Sequence, residues 1–236
     1  MKPQFNSPCR VIPVDGIVRS MSADDGLLVS EIFYSLQGES TCAGKPCLFI
    51  RLAGCDLSCS WCDTTYALSE GVRMSLGEIM AEAAKYPVRL VELTGGEPLI
   101  QENSHRLMEM LLDSGREVLL ETGGHRSIDR VDKRVKIIYD IKCPGSGMSE
   151  RNLWENLFLL KPQDEIKFVI ASAEDYEWAV NVVREYSLGS RHEVLFSPVS
   201  ESLDPAELAE WIIRDNLPVR LQLQLHRILW DGERGR

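Results

Sequence analysis

Three cysteines fall within eight residues, at Cys55, Cys59 and Cys62, in the spacing C-x3-C-x2-C. Thiolates this close on one loop suit a metal centre. A structural zinc wants four ligands, and the C-x2-C half has no second pair. Cys143 stands alone and no His-x3-His follows. A catalytic zinc takes three protein ligands, but three thiolates from one short loop would be an unusual set. A [4Fe–4S] cube usually takes four cysteines. Three would leave one iron with an open position, where a small ligand can bind and react. On spacing alone a buried thiol loop, a zinc loop and an open cluster all remain open readings.

Other residues in the chain have chemistry that suits such a centre. "LTGGEP", from Leu93 to Pro98, follows an apolar run. Gly95-Gly96 could be a plain tight turn, or it could let backbone carbonyls approach a ligand closely, with Glu97 adding negative charge nearby. Arg51 lies four residues before Cys55 and could pair its planar fork with a carboxylate; a surface ion pair is the plainer reading. Near the C-terminus "VRLQLQLH" alternates with period two. As a strand it would put Val219, Leu221, Leu223 and Leu225 on one face and Arg220, Gln222, Gln224 and His226 on the other. Such a strand fits a sheet edge facing water, or a lumen in which amides read a polar heterocycle. Asp140 and Lys142 share one face of their own strand. Cys9, Cys42, Cys47 and Cys143 read as ordinary buried thiols. His105, His125 and His192 lack a ligand pattern and receive no role. Leu107, Met110 and Leu111 read as core.

The elements that must hold these residues are α/β. "RLVEL" (89–93), "EVLLE" (117–121), "KIIYDI" (136–141), "IKFVI" (166–170) and "VLF" (194–196) read as strands. Leu76, Ile79, Met80 and Ala83 form a helical stripe, as do Tyr176, Ala179, Val180 and Val183, and Leu208, Trp211 and Ile212. Asp204 caps the last of these, Pro205 opens it, and Glu207 can reach back. Strands alternating with helices imply parallel βα units. About six such units predict a partial, open TIM-like barrel rather than a closed one, with chemistry at the C-terminal strand ends. Residues 1–26 read as an irregular extension and 27–236 as one domain. The net charge of −10 argues against a broad nucleic-acid surface. No apolar run approaches a membrane span and the N-terminus lacks a signal-peptide pattern, which together predict a cytoplasmic protein.

The cysteine loop, with Trp61 before its last cysteine, resembles the cluster loop of the radical S-adenosylmethionine (SAM) superfamily, and "LTGGEP" resembles that superfamily's glycine–glycine–glutamate motif. "FYSLQGES" (33–40), "FIRLAGCDLSCSWCDTTYA" (49–67), "LLETGG", "YDIKCPGSGM" (139–148) and "RLQLQLHRILW" (220–230) together resemble the 7-carboxy-7-deazaguanine synthase family, from about Leu27 to Trp230. The resemblance implies ring contraction of 6-carboxy-5,6,7,8-tetrahydropterin with loss of ammonia, in queuosine and 7-deazapurine biosynthesis. It implies a [4Fe–4S] cluster, SAM as a recycled cofactor that delivers a 5′-deoxyadenosyl radical to C6 of the pterin, and Mg²⁺. It further implies a flavodoxin-like or other reductant, a homodimer, and no nucleic-acid or membrane partner. By the same resemblance Cys55, Cys59 and Cys62 hold the cluster and Thr64 holds Mg²⁺. Leu36, Gln37, Gly38, Arg51, Thr94, Glu121, Gln224, His226 and Arg227 meet substrate, and Gly95, Gly96, Glu97, Asp140, Ile141 and Lys142 meet SAM. Arg227 stands where the family commonly has lysine, and "ETGG" replaces a more frequent Asn- or Ser-containing turn. The rival readings are an activase for a glycyl-radical enzyme and a non-catalytic zinc module.

Overall fold

The computed structural model describes residues 26–236; the expected N-terminal extension lies outside the described residues except for Gly26. Gly26 opens β1 (Gly26–Leu36), which pairs antiparallel with β2 (Pro46–Leu52) and with β3 (Val72–Ser75). Six further strands follow: β4 (Leu90–Gly95), β5 (Glu117–Thr122), β6 (Lys136–Ile141), β7 (Glu165–Ile170), β8 (Glu193–Pro198) and β9 (Arg220–Leu221). They form one nine-stranded sheet in the order β3-β1-β2-β4-β5-β6-β7-β8-β9. From β2 through β9 every neighbouring pair is parallel. The sheet does not close, so the partial barrel expected from the sequence is the observed architecture.

Four helices pack on the outside: α1 (Leu76–Ala83), α2 (Asn103–Asp113), α3 (Ala173–Glu185) and α4 (Pro205–Arg214). α1, α3 and α4 present the apolar stripes read from their spacing, and side-chain caps mark where they begin, whereas α2 starts without one. Ser75 and Glu78 form a reciprocal capping box on α1. Ser172 accepts from the Asp175 N–H on α3, and Asp204 accepts from the Ala206 N–H on α4. The β5–β6 and β6–β7 connections carry no α-helix among the described residues; short 3₁₀ turns fill the second.

Strand alternation divides the interior into two. Val91, Leu93, Val118, Leu120, Ile137, Tyr139, Ile141, Ile166 and Phe168 face the helices and build the main core. The opposite parity faces the lumen. At its N-terminal end Phe33, Cys47, Phe49, Leu90, Leu119 and Ile138 form a second apolar cluster, with the Phe33 and Phe49 rings stacked at 4.8 Å. One step further along β4, β5 and β6 stand Glu92, Glu121 and Asp140, with Lys167 opposite Asp140 on β7. The lumen is therefore plugged by apolar side chains at one end and polar at the other.

The C-terminal segment corrects one expectation. Val219–His226 is not a strand with alternating faces. Only Arg220 and Leu221 pair with β8, opposite Leu195 and Phe196, and the Gln222 N–H makes a last bond to the Phe196 carbonyl at 2.8 Å. The chain then turns into a short helix, α5 (Leu225–Trp230). The turn is set by docking: the Leu225 N–H donates to the Gly38 carbonyl at 3.0 Å, and Gln224 commits its amide to Glu39 at 2.8 Å. Arg220 consequently pairs with Glu193 outside the lumen, and Gln222 bonds the Leu223 carbonyl.

Candidate active site

The polar end of the lumen is a cavity of about 960 Å³ at the C-terminal ends of the parallel strands. Leu36, Gln37, Gly38, Arg51, Cys55, Cys59, Cys62, Thr64, Thr94, Gly95, Gly96, Glu121, Asp140, Lys142, Gln224, His226 and Arg227 all line it. Two expected residues do not. The Ile141 side chain is fully buried in the main core, on the other face of β6. Glu97 is buried with its oxygens taken by the Leu99 N–H, the Thr122 hydroxyl and the Gly123 N–H. It ties the end of β4 to the end of β5 and does not reach the cavity.

The cysteine loop leaves β2 directly, and the glycine pair ends β4 beside it. Leu52 pairs with Gly95 in the ladder, the Gly96 N–H donates to the Leu52 carbonyl at 3.1 Å, and the Glu97 N–H to the Gly54 carbonyl at 2.9 Å. A Cβ on Gly95 would stand 2.2 Å from the Leu52 carbonyl oxygen; one on Gly96 would stand 2.2 Å from that of Gly54 and 2.8 Å from the Cys55 Cβ. The glycines are thus required by close backbone approach to the end of β2 and to the start of the cysteine loop.

The three loop cysteines are half-buried, whereas Cys42, Cys47 and Cys143 are buried away from the cavity lining. Among the described residues no three His, Cys, Asp or Glu side chains converge as metal ligands. The donor set still fits an iron–sulfur centre: three thiols on one loop, facing one cavity, with a cation at hand. Burial pushes the Cys55 and Cys59 thiols up; the Leu57 N–H on Cys55 and the Lys142 ammonium on both act the other way. Burial holds the Cys143 thiol far up, so it stays a neutral core group.

Arg51 lies on the lumen side of β2. Its Nε donates to Glu31 Oε1 at 2.7 Å, and Tyr66 Oη donates to the same oxygen at 2.8 Å. Arg234 takes the other Glu31 oxygen at 3.1 Å, bonds Glu70 at 2.9 Å, and lies 3.9 Å from the Tyr66 ring centre. Burial raises the Glu31 carboxyl, but Arg51, Tyr66 and Arg234 together hold it below the ordinary carboxylate value. Gln37 donates to Glu92, which burial and the neighbouring Glu121 and Glu39 carboxylates keep well above the usual range. Gly38 admits the His226 ring: a Cβ there would be 2.5 Å from Nδ1.

Several lining residues escaped the sequence reading: Glu31, Glu39, Tyr66, Glu92, Lys167, Arg234 and the stretch 197–200 that ends and follows β8. Lys167 left a signal, since a charged residue inside the apolar run "EIKFVI" marks a lumen-facing position. His125, given no role, is buried between the two loops. Its Nε2 meets Asp56 Oδ1 at 2.6 Å and its Nδ1 lies 3.7 Å from Glu97 Oε2.

Residues 49–141 match the radical SAM superfamily model. The 7-carboxy-7-deazaguanine synthase of Chlorobaculum tepidum is 48% identical over 90% of this chain and 98% of its own length. That of Koribacter versatilis is 44% identical over 87% and 97%. In fold the chain is similar to Escherichia coli QueE, with a TM-score of 0.70 over 84% of this chain and 94% of the other at 24% identity. The three-cysteine loop, the glycine pair stitched to it and the full-length similarity together place this chain in the 7-carboxy-7-deazaguanine synthase family of radical SAM enzymes.

Proposed function

We propose that this chain contracts the ring of 6-carboxy-5,6,7,8-tetrahydropterin to 7-carboxy-7-deazaguanine with loss of ammonia. The observation that carries this reading is that one cavity is lined both by the cysteine loop and by a ring of amides, acids and cations suited to a polar heterocycle. Cys55, Cys59 and Cys62 would hold three irons of a [4Fe–4S] cluster and leave the fourth for the amino and carboxylate groups of SAM. When bound, that pair supplies the hydrogen-abstracting chemistry, and the protein supplies position and exclusion of water.

Arg51 is suited to the substrate carboxylate. Glu31 takes its Nε, and among the described residues its two terminal amino groups make no hydrogen bond, which leaves a fork for bidentate pairing. Gln37, Glu121, Gln224 and His226 surround the space in which the ring's donors and acceptors would be read. Thr64 is assigned to Mg²⁺. It precedes the 3₁₀ turn 65–68, but its hydroxyl makes no capping bond there and lies 3.9 Å from Cys62 Sγ. One protein oxygen suffices for Mg²⁺ when substrate oxygens and waters complete the octahedron. A flavodoxin-like reductant, a homodimer and a cytoplasmic location belong to the same proposal; among the described residues no helix is long and apolar enough to cross a membrane.

The test is anaerobic reconstitution, reduction, and incubation with SAM, Mg²⁺ and the carboxy-tetrahydropterin, with products identified by mass spectrometry. Formation of 7-carboxy-7-deazaguanine supports the assignment. A protein carrying a full cluster that leaves the pterin unchanged would refute it.

A further inference from the structure

Lys167 stands in the middle of β7 with its side chain 6% exposed at the base of the cavity. A buried ammonium persists only when it is paired and hydrogen-bonded. Here Nζ lies 2.9 Å from Glu39 Oε2, in tight contact with Glu121 Oε1, and 3.9 Å from Asp140 Oδ2. These acids come from the loop after β1, from β5 and from β6. The remaining oxygens of the first two are also engaged. Glu39 Oε1 accepts from the Gln224 amide at 2.8 Å, and Glu121 Oε2 accepts from the Thr94 hydroxyl at 3.2 Å. One lysine therefore fixes two lumen carboxylates, each joined on its far side to a residue of the proposed substrate site.

We propose that Lys167 is a positioning residue for the ring contraction: it holds the Glu39 and Glu121 carboxylates oriented as acceptors for the N–H donors of the pterin's 2-aminopyrimidinone ring. The proposal rests on the substrate reading given above. Two carboxylates facing one lumen would otherwise repel and splay, and Glu92 beside them adds a third acid. The groups that face Lys167 are Glu39, Glu92 from β4, Glu121, and Asp140 and Lys142 from the β6 end. Burial and the nearby Asp63 push the Glu39 carboxyl up, but the Lys167 ammonium and the Gln224 amide prevail and hold it below its ordinary value. Through Glu39 the lysine also ties Gln224, at the start of α5, to the floor of the barrel.

The experiment compares wild type, Lys167→Met, Glu39→Gln and the double variant, all anaerobically reconstituted to equal iron content. Substrate affinity is measured by calorimetry without reductant, and kcat/KM is measured against pH. Lys167→Met should weaken substrate binding by about 10- to 100-fold, the loss expected for a charge-assisted hydrogen bond. Without the cation Glu39 protonates more readily, so the acid limb of kcat/KM should move to higher pH. In the Glu39→Gln background the added loss from Lys167→Met should be several-fold smaller than in wild type. Should the single Lys167→Met protein fail to fold, Lys167→Met is added to a Glu39→Gln/Glu121→Gln variant and compared with that variant alone: near-equal affinities support the proposal, and a further ten-fold loss overturns it. A wild type that makes 7-carboxy-7-deazaguanine while Lys167→Met matches it in affinity and pH profile overturns the role of Lys167 only. A wild type that makes none overturns the substrate reading as well.

Discussion

The cysteines have separable fates because only three of the described six line the cavity. Cys55→Ala, Cys59→Ala or Cys62→Ala should each abolish cluster assembly, since among the described residues no other thiol lines the cavity to replace a ligand. Cys143→Ala should leave iron and sulfide content at the wild-type level, because its thiol sits in the core as a neutral group. A Cys143 variant that loses its cluster would show the ligand set to be wrong. Thr64 makes no capping bond, which separates its two readings. Thr64→Ala should weaken the Mg²⁺ dependence of the rate while iron content, SAM binding and melting temperature hold, and Thr64→Ser should retain most of the response. Identical Mg²⁺ activation curves for wild type and Thr64→Ala would exclude the metal role. The cysteines stood out in the sequence because metal chemistry imposes a local spacing, whereas the Thr64 role came only with the family resemblance. Glu31 and Lys167 were not, because their partners are set by pairing between strands: Glu31 faces Arg51 across an antiparallel ladder, and Lys167 lies opposite Asp140 across a parallel one.

At the level of elements, the junction between the end of β4 and the cysteine loop carries the two tightest glycine contacts among the described residues. Gly96→Ala puts a methyl group 2.2 Å from the Gly54 carbonyl oxygen, and backbone cannot yield as a side-chain tip can. Overpacking of this kind costs about 1–3 kcal/mol, and here the strain falls on the residue before Cys55. We expect a lower melting temperature together with incomplete iron loading; Gly77→Ala, on α1 with open space around it, should show neither. An unchanged iron content in Gly96→Ala would mean that the two loops are not coupled. The strands β4 to β8 and the helices α1, α3 and α4 were readable because apolar periodicity survives burial on a parallel sheet. The C-terminal segment misled for the same reason. Its leucines and glutamines alternate, but the contact that sets its path is the Leu225 bond to Gly38, nearly two hundred residues away in sequence, which no local period encodes. His125 was invisible similarly: it bridges Asp56 and Glu97, residues from two other loops.

Seen whole, the lumen carries a gradient along its axis. Apolar side chains seal one end, a buried lysine among acids forms the floor of the cavity, and the cysteine loop and the C-terminal segment rim the other end. Arg234 extends this rim, for its pairs with Glu31 and Glu70 hold the tail across Tyr66 beside Arg51. This arrangement suits chemistry that must hold C6 of the pterin against one reactive carbon. The overall architecture was legible from the strand–helix order, whereas the cavity was not, because it forms only when seven strands, the loops that follow them and the C-terminal segment meet. The central claim is that a single cavity contracts the pterin ring and recycles SAM. It is tested most directly by following carboxy-tetrahydropterin deuterated at C6 through anaerobic turnover with limiting SAM. The account predicts that 7-carboxy-7-deazaguanine accumulates in excess of SAM and that recovered SAM carries deuterium in its 5′ methylene. Consumption of one SAM per product, or recovery of SAM that stays unlabelled after many turnovers, would contradict it.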